Sequence, residues 1–209
     1  MKILFATTNP AKVKTYASRL IEKGYEIVTL KYLKIDIDVE ENGTTPLENA
    51  IIKAKEYHKI SNLPTIAMDE GLYLDNVPEN LQPGTHVRRV NGKKLTDEEM
   101  ITHYTNLVNQ YGINSKLTGY FQKGIAIVTD NKIDTFEIKA PRCFSNTRCK
   151  TVMEGYPLAS IQWIEELHKY KAELTKDEEN QLMSKEQKEI LDFIESKIVI
   201  NWHLNKNVI

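Results

Sequence analysis

The sequence predicts a mixed α/β protein (α+β in the wider sense), a mixed β-sheet covered by helices. Three observations carry this. From Ile3 to Gly71, apolar runs of strand length alternate with helices of 3.6-residue periodicity, in the order βαβαβ. Another periodic helix follows at Thr96. Two β-rich runs then flank Asp130-Asn131-Lys132, which is the pattern of an antiparallel hairpin.

The elements follow in order. Ile3–Ala6 is an apolar run that fits a buried strand. Asn9-Pro10 starts a helix, because Asn caps well and proline has no N–H to leave unpaired in the first turn. Val13, Tyr16, Ala17, Leu20 and Ile21 give that helix one apolar face, and Gly24 ends it. Tyr25–Leu30 reads as a second strand. Thr45-Pro46-Leu47-Glu48 is a capping box, and Leu47, Ala50, Ile51 and Ala54 form the stripe of the second helix. Pro64–Met68 reads as a third strand ending at Asp69-Glu70-Gly71, with Leu72–Asp75 as a short extension. Residues 77–94 read as loop, punctuated by Pro78, Pro83-Gly84 and Asn91-Gly92. Thr96 to Glu99 cap a third helix carrying Met100, Tyr104, Leu107, Val108 and Tyr111. The hairpin strands are Leu117–Val128 and Ile133–Ile138. The tail holds a capping box at Thr175–Glu178 and a long charged helix with Leu182, Ile190, Leu191, Ile194 and Ile198.

Composition narrows the function. At 41% hydrophobic and 27% charged residues, the 209-residue chain is neither disordered nor fibrous, and its length suits a single domain over 1–209 with room for a smaller lobe. A net charge of −1 leaves no footprint for coating nucleic acid or a membrane surface. Cys143 and Cys149 are too few for a disulfide framework or a four-cysteine zinc site, and the five histidines lack metal-ligand spacing. The opening apolar run is too short for a signal peptide, and no stretch approaches the roughly 18 apolar residues of a membrane helix. A cytoplasmic protein without nucleic-acid or membrane partners is expected.

Five segments hold the candidate chemistry. The first is the helix start Thr7-Thr8-Asn9-Pro10-Ala11-Lys12, which carries lysine where the helix dipole favours anions. It is either an ordinary cap with solvated lysines or a phosphate site built from backbone N–H groups, the Thr hydroxyls, Asn9 and Lys12. Glu40-Glu41 and Asp69-Glu70 are acidic pairs, the second directly after a strand, where open α/β sheets bind ligands. One carboxylate from each pair suits Mg²⁺, which takes few protein carboxylates and fills its shell with water and phosphate oxygens; otherwise Glu40 and Glu41 are a solvated loop. Lys53, off its helix's apolar stripe, is a surface lysine or a phosphate ligand. Arg88-Arg89, after the Pro83-Gly84 turn, offer the planar fork that phosphate accepts. Templates such as the Walker A loop, GxGxxG and GxSxG are absent from the sequence.

Together these segments resemble the inosine triphosphate pyrophosphatase family, in the family's order. Ala6–Lys12 is similar to its opening Thr-x-Asn-x-x-Lys loop. Glu40–Ala54 is similar to its Glu-rich loop and following helix, Leu63–Leu72 to its Asp-Ser-Gly-Leu segment, and Pro83–Arg88 to its Pro-Gly-x-Tyr turn. The resemblance implies that Asn9, Lys12, Lys53 and Arg88 hold a triphosphate, beside the hydroxyls of Thr7 and Thr8 that the helix start itself offers. It implies that Glu40 or Glu41 binds Mg²⁺, or Mn²⁺ in its place, with Asp69, which also activates the attacking water. The reaction would give a nucleoside monophosphate and pyrophosphate. The implied fold is an elongated, curved sheet in two lobes around a cleft, in a homodimer.

The second half departs from the family. Gly155-Tyr156-Pro157-Leu158 lacks the aspartate of Gly-Tyr-Asp-Pro, and Met183-Ser184-Lys185 stands where Ser-His-Arg reads the purine edge. Lys185 lacks the arginine fork. Glu70 replaces a serine beside the phosphates. These changes imply altered base selectivity, or alternatively a nucleotide-binding protein without turnover on the same scaffold.

Overall fold

The computed structural model describes residues 2–181 and 185–206, with side chains described up to Ile198. Its strands form a five-stranded sheet in the order β2-β1-β3-β6-β7, with two separate two-stranded ribbons. The strands are β1 (Ile3–Phe5), β2 (Ile27–Thr29), β3 (Thr65–Leu74), β6 (Lys116–Val128) and β7 (Ile133–Ser145). β1 runs parallel to β2 and β3, with Leu4 opposite both Val28 and Thr65. The chain divides into two compact units, one made of residues up to Glu70, Lys123–Ile138 and the C-terminal helix, the other of Gly71–Gln122 and the segment from Lys139.

In the first unit, α1 (Pro10–Lys12), a π-helical segment (Val13–Ala17) and α2 (Ser18–Glu22) run on as one helix, started by the Asn9 cap as its sequence predicts. β2 is shorter than Tyr25–Leu30. Thr29, the last residue of the strand, also caps α3 (Leu30–Leu33), its hydroxyl accepting from the Tyr32 N–H. α4 (Pro46–Ser61) carries the complete Thr45–Glu48 capping box. Its Ala50, Ala54 and Tyr57 are buried against Leu4, Ala6, Ala67, Ala126 and Val128, every second residue of the sheet segments. The approach is close: a Cβ on Gly124 of β6 would stand 2.4 Å from the Leu47 Cα. The alternate residues Ile3, Phe5, Ile66, Met68, Ile125 and Ile127 are buried on the opposite face. The first helix lies on that side, since Lys123, in line with Ile125, reaches the Tyr16 hydroxyl at 3.3 Å.

α7 (Lys185–Lys206) belongs to the same unit; Glu195 pairs with Lys23, and Phe193 stacks on Phe136 of β7 at 5.1 Å. Of the tail, the structure describes the helical segments α6 (Lys176–Gln181) and α7, and Leu182 lies outside the described residues.

The second unit is built on α5 (Asp97–Tyr111), which starts with the predicted capping box. Met100, Ile101, Tyr104, Leu107 and Val108 form one core with Leu72, Leu74, Leu117 and Phe144. Leu72 thus lies in an unbroken β3 instead of a separate extension, because Asp69 and Glu70 find cations and do not interrupt the strand. The predicted loop 77–94 contains the ribbon β4 (Arg89–Val90) and β5 (Lys93–Lys94), turned by Asn91 and Gly92 at φ of 49° and 79°. β7 continues past Ile138 to Ser145 through Pro141, which a strand at the edge of the sheet tolerates.

Candidate functional site

The first unit gathers charge around the middle of β3. Strand alternation points Asp69, in line with Ala67, toward α4, and Glu70, in line with Met68, toward the first helix. One strand thus presents two carboxylates to two different helices.

On the α4 side, Lys53 Nζ donates to Asp69 Oδ1 at 2.9 Å and to Glu41 Oε2 at 3.0 Å. Lys53 and Asp69 are 13% and 12% exposed, so this ammonium bridges two carboxylates in a largely dry setting. Asn49, one turn before Lys53, donates from Nδ2 to Asp69 Oδ2 at 3.2 Å and accepts at Oδ1 from the Gly43 N–H at 2.8 Å. A Cβ on Gly43 would meet Asn49 Oδ1 at 2.7 Å, so only glycine lets the loop approach this closely. The same loop is tied by Thr44, whose N–H and hydroxyl donate to Glu48 at 2.7 and 2.8 Å. The capped first turn of α4 therefore fixes the loop that carries Glu41.

Electrostatics follow from burial and proximity. Burial raises the Glu41 pKa, Lys53 opposes that, and Asp69 adds to it, leaving Glu41 above the ordinary carboxylate range. Burial pulls the Lys53 ammonium down, but Asp69 and Glu41 more than reverse it, so its pKa stands above the usual lysine value.

On the other side, Asn9 Oδ1 accepts from the Ala11 N–H at 2.9 Å and the Lys12 N–H at 3.4 Å, and Thr7 Oγ1 accepts from the Asn9 N–H at 3.1 Å. Thr8 is exposed on the same loop. Lys12 Nζ stands 3.6 Å from Glu70.

The structure therefore brings Thr7, Thr8, Asn9, Lys12, Glu41, Lys53, Asp69 and Glu70 into one unit. Of the two acidic-loop candidates, Glu40 and Glu41, both at exposed positions, it is Glu41 that reaches Lys53. Arg88 belongs to the other unit, where it donates to Asp97 at 2.7 Å and the Leu95 carbonyl at 3.3 Å. Lys185 is exposed at the start of α7, 3.7 Å from Glu189; Met183 and Ser184 lie outside the described residues. Two participants have no counterpart among the sequence candidates. Asn49 was legible only as the neighbour of an apolar stripe, spaced i, i+4 from Lys53. Lys123, buried with its ammonium 6.0 Å from the Tyr16 ring centre, is a lysine inside a β-rich run that alternation alone does not interpret.

Among the described residues, no group of three or more His, Cys, Asp or Glu side chains is arranged to hold a metal, and no helix is long and apolar enough to cross a membrane. The chain matches the Ham1 family model over residues 3–188. It is 32% identical over 185 residues to a protein of Thermoanaerobacter pseudethanolicus named dITP/XTP pyrophosphatase, covering 87% of this chain and 89% of that one. To the Leptospira interrogans protein of the same name it is 28% identical over 198 residues, covering 94% and 98%. Its fold is similar to the solved structure of the Staphylococcus aureus Ham1 protein, with a TM-score of 0.70 and 25% identity over 94% of this chain and 100% of that one. The mixed sheet flanked by helices is theirs as well, and this chain belongs to the Ham1 family, the inosine triphosphate pyrophosphatases.

Proposed function

We propose that this protein hydrolyses nucleoside triphosphates to the monophosphate and pyrophosphate, with a divalent metal, Mg²⁺ or Mn²⁺, and with base selectivity altered from that of its relatives. The observation that carries this reading is the convergence of Glu41 and Asp69 on one cationic nitrogen, at 3.0 and 2.9 Å, with Asp69 in the strand that also presents Glu70 to Lys12.

The donor set fits such an ion. Two carboxylates already directed at one positive centre are hard oxygen ligands, and Mg²⁺ needs only one or two from the protein when phosphate and water supply the rest. Glu41 and Asp69 would hold it. When bound, the metal neutralises charge on the phosphate oxygens. Lys12, Asn9, Thr7 and Thr8 would hold the polyphosphate at the start of the first helix, Lys53 would supply a second cation, and Arg88 is assigned to the phosphates by the family resemblance. Asp69 would accept the proton of the water that attacks the α-phosphorus. The bond from that phosphorus to the oxygen bridging toward the β-phosphate breaks, and pyrophosphate leaves with the bridging oxygen. Such chemistry needs placement and charge more than covalent help.

Lys185 and the Gly155-Tyr156-Pro157-Leu158 turn support the altered selectivity, because they lack the arginine fork and the aspartate of the family motifs. The family resemblance also supports a homodimer, and the sparse cysteine usage supports a cytoplasmic location.

Pyrophosphate release from dITP, XTP, ITP, dUTP and the standard nucleotides, with Mg²⁺ or Mn²⁺, tests the reading. Turnover of at least one is expected, and Asp69→Asn should cut it by about 100-fold or more, the usual scale for losing one preorganised charged group. No release from any substrate would reject it.

A further inference from the structure

We propose that Glu70 stands in for a phosphate oxygen: its carboxylate neutralises Lys12 in the resting site, and a polyphosphate binds by displacing it. The inference rests on the assignment of Lys12 to the triphosphate and adds a residue that sets how tightly the anion is held.

Three features carry it. The family resemblance implies serine where this chain has Glu70, so the carboxylate departs from the family motif. Alternation along β3 turns it away from Asp69 and toward Lys12, so it serves the phosphate side of the strand and not the Lys53 cluster.

The two ammonium groups are also held differently. Lys53 is hydrogen-bonded at 2.9 and 3.0 Å, whereas Lys12 and Glu70 stand 3.6 Å apart, a charge pair too long for a hydrogen bond. Both members are mostly buried, at 10% and 18% exposure, so their attraction is only partly screened. A phosphate oxygen can approach Lys12 closely enough for a short charge-assisted hydrogen bond, which the 3.6 Å Lys12–Glu70 pair is too long to be. Nor does the helix start need the carboxylate, because Asn9 already accepts from the Ala11 and Lys12 N–H groups. Glu70 thus competes with the incoming anion for one cation, at a cost in affinity.

Calorimetric titration of the full chain with inorganic tripolyphosphate, without metal, tests this. Glu70→Gln, which keeps the side chain's size, should bind about tenfold tighter than the unmodified protein, the scale of one partly screened charge pair. Glu70→Ser should do the same and serves if the first variant fails to fold. The gain should vanish when Lys12→Met is added. Equal or weaker binding by the Glu70 variants, with Lys12→Met still abolishing it, would overturn this inference alone. So would a gain that persists without Lys12. If neither the unmodified protein nor any variant binds tripolyphosphate, the assignment of the phosphate site falls and this inference falls with it.

Discussion

The Lys53 cluster and the Arg88–Asp97 pair are made of the same kinds of groups in opposite surroundings. Lys53 and Asp69 are 13% and 12% exposed, and a second carboxylate, an amide and a fixed loop complete their hydrogen bonds. Arg88 and Asp97 are 32% and 40% exposed, and their 2.7 Å contact joins the ribbon to the first turn of α5. Distance hardly separates the two contacts, so distance is a poor guide to what either is worth. Solvent separates them. A buried charge that loses its partner has nowhere to go, while an exposed one is rehydrated.

Lys53→Met is the severest way to break this comparison. It leaves Asp69 and Glu41 facing each other without a cation, and urea unfolding at neutral pH should show a loss of about 3 kcal/mol, the low end for breaking a buried pair. Adding Asp69→Asn should restore part of that stability. A loss under about 1 kcal/mol would mean that the cluster behaves as a surface pair. Arg88→Ala should cost only about 0.2–1 kcal/mol in the same experiment. If Arg88 also holds substrate, the KM for the triphosphate should rise several-fold although stability hardly moves.

The smallest effect concerns Glu99, wholly on the exposed side of the comparison. Lys93 and the Thr96 N–H and hydroxyl hold its pKa down to about 2 from 4.5. A depressed carboxylate contributes stability that is complete above its unfolded value and lost as pH falls through its folded one. Unfolding curves of the unmodified protein and Glu99→Gln should therefore differ most above pH 4.5 and converge toward pH 2. A difference that stays constant across that window would show that Glu99 acts through packing instead of charge.

Much of the fold was legible because its signals are short-range. The capping boxes at Thr45 and Thr96, the Asn9 cap and the Asn91-Gly92 turn each work within about four residues, and each forms where the sequence places it. The misread boundaries share one cause. Asp69-Glu70-Gly71 looked like the end of a strand because two acids interrupt an apolar run, yet Lys53 and Lys12 accommodate them and β3 continues. In the same way, Ile133–Ile138 was only the first half of a longer strand, since an edge position accepts Pro141.

The amino-acid order by itself determined where the helices start, which faces are apolar, and that acids and cations of phosphate chemistry recur in the family's order. Tertiary structure decided which of them meet. Two adjacent glutamates in an irregular loop have no periodicity to tell them apart, and it is the Gly43–Asn49 hydrogen bond, with Lys53 beyond it, that selects Glu41. Likewise, Asp69 and Glu70 are neighbours in the chain but serve different helices, because a strand turns successive side chains to opposite faces. Capping forces act within a turn and can be read from neighbours; a charge finds its distant partner only through the packing of helix on sheet.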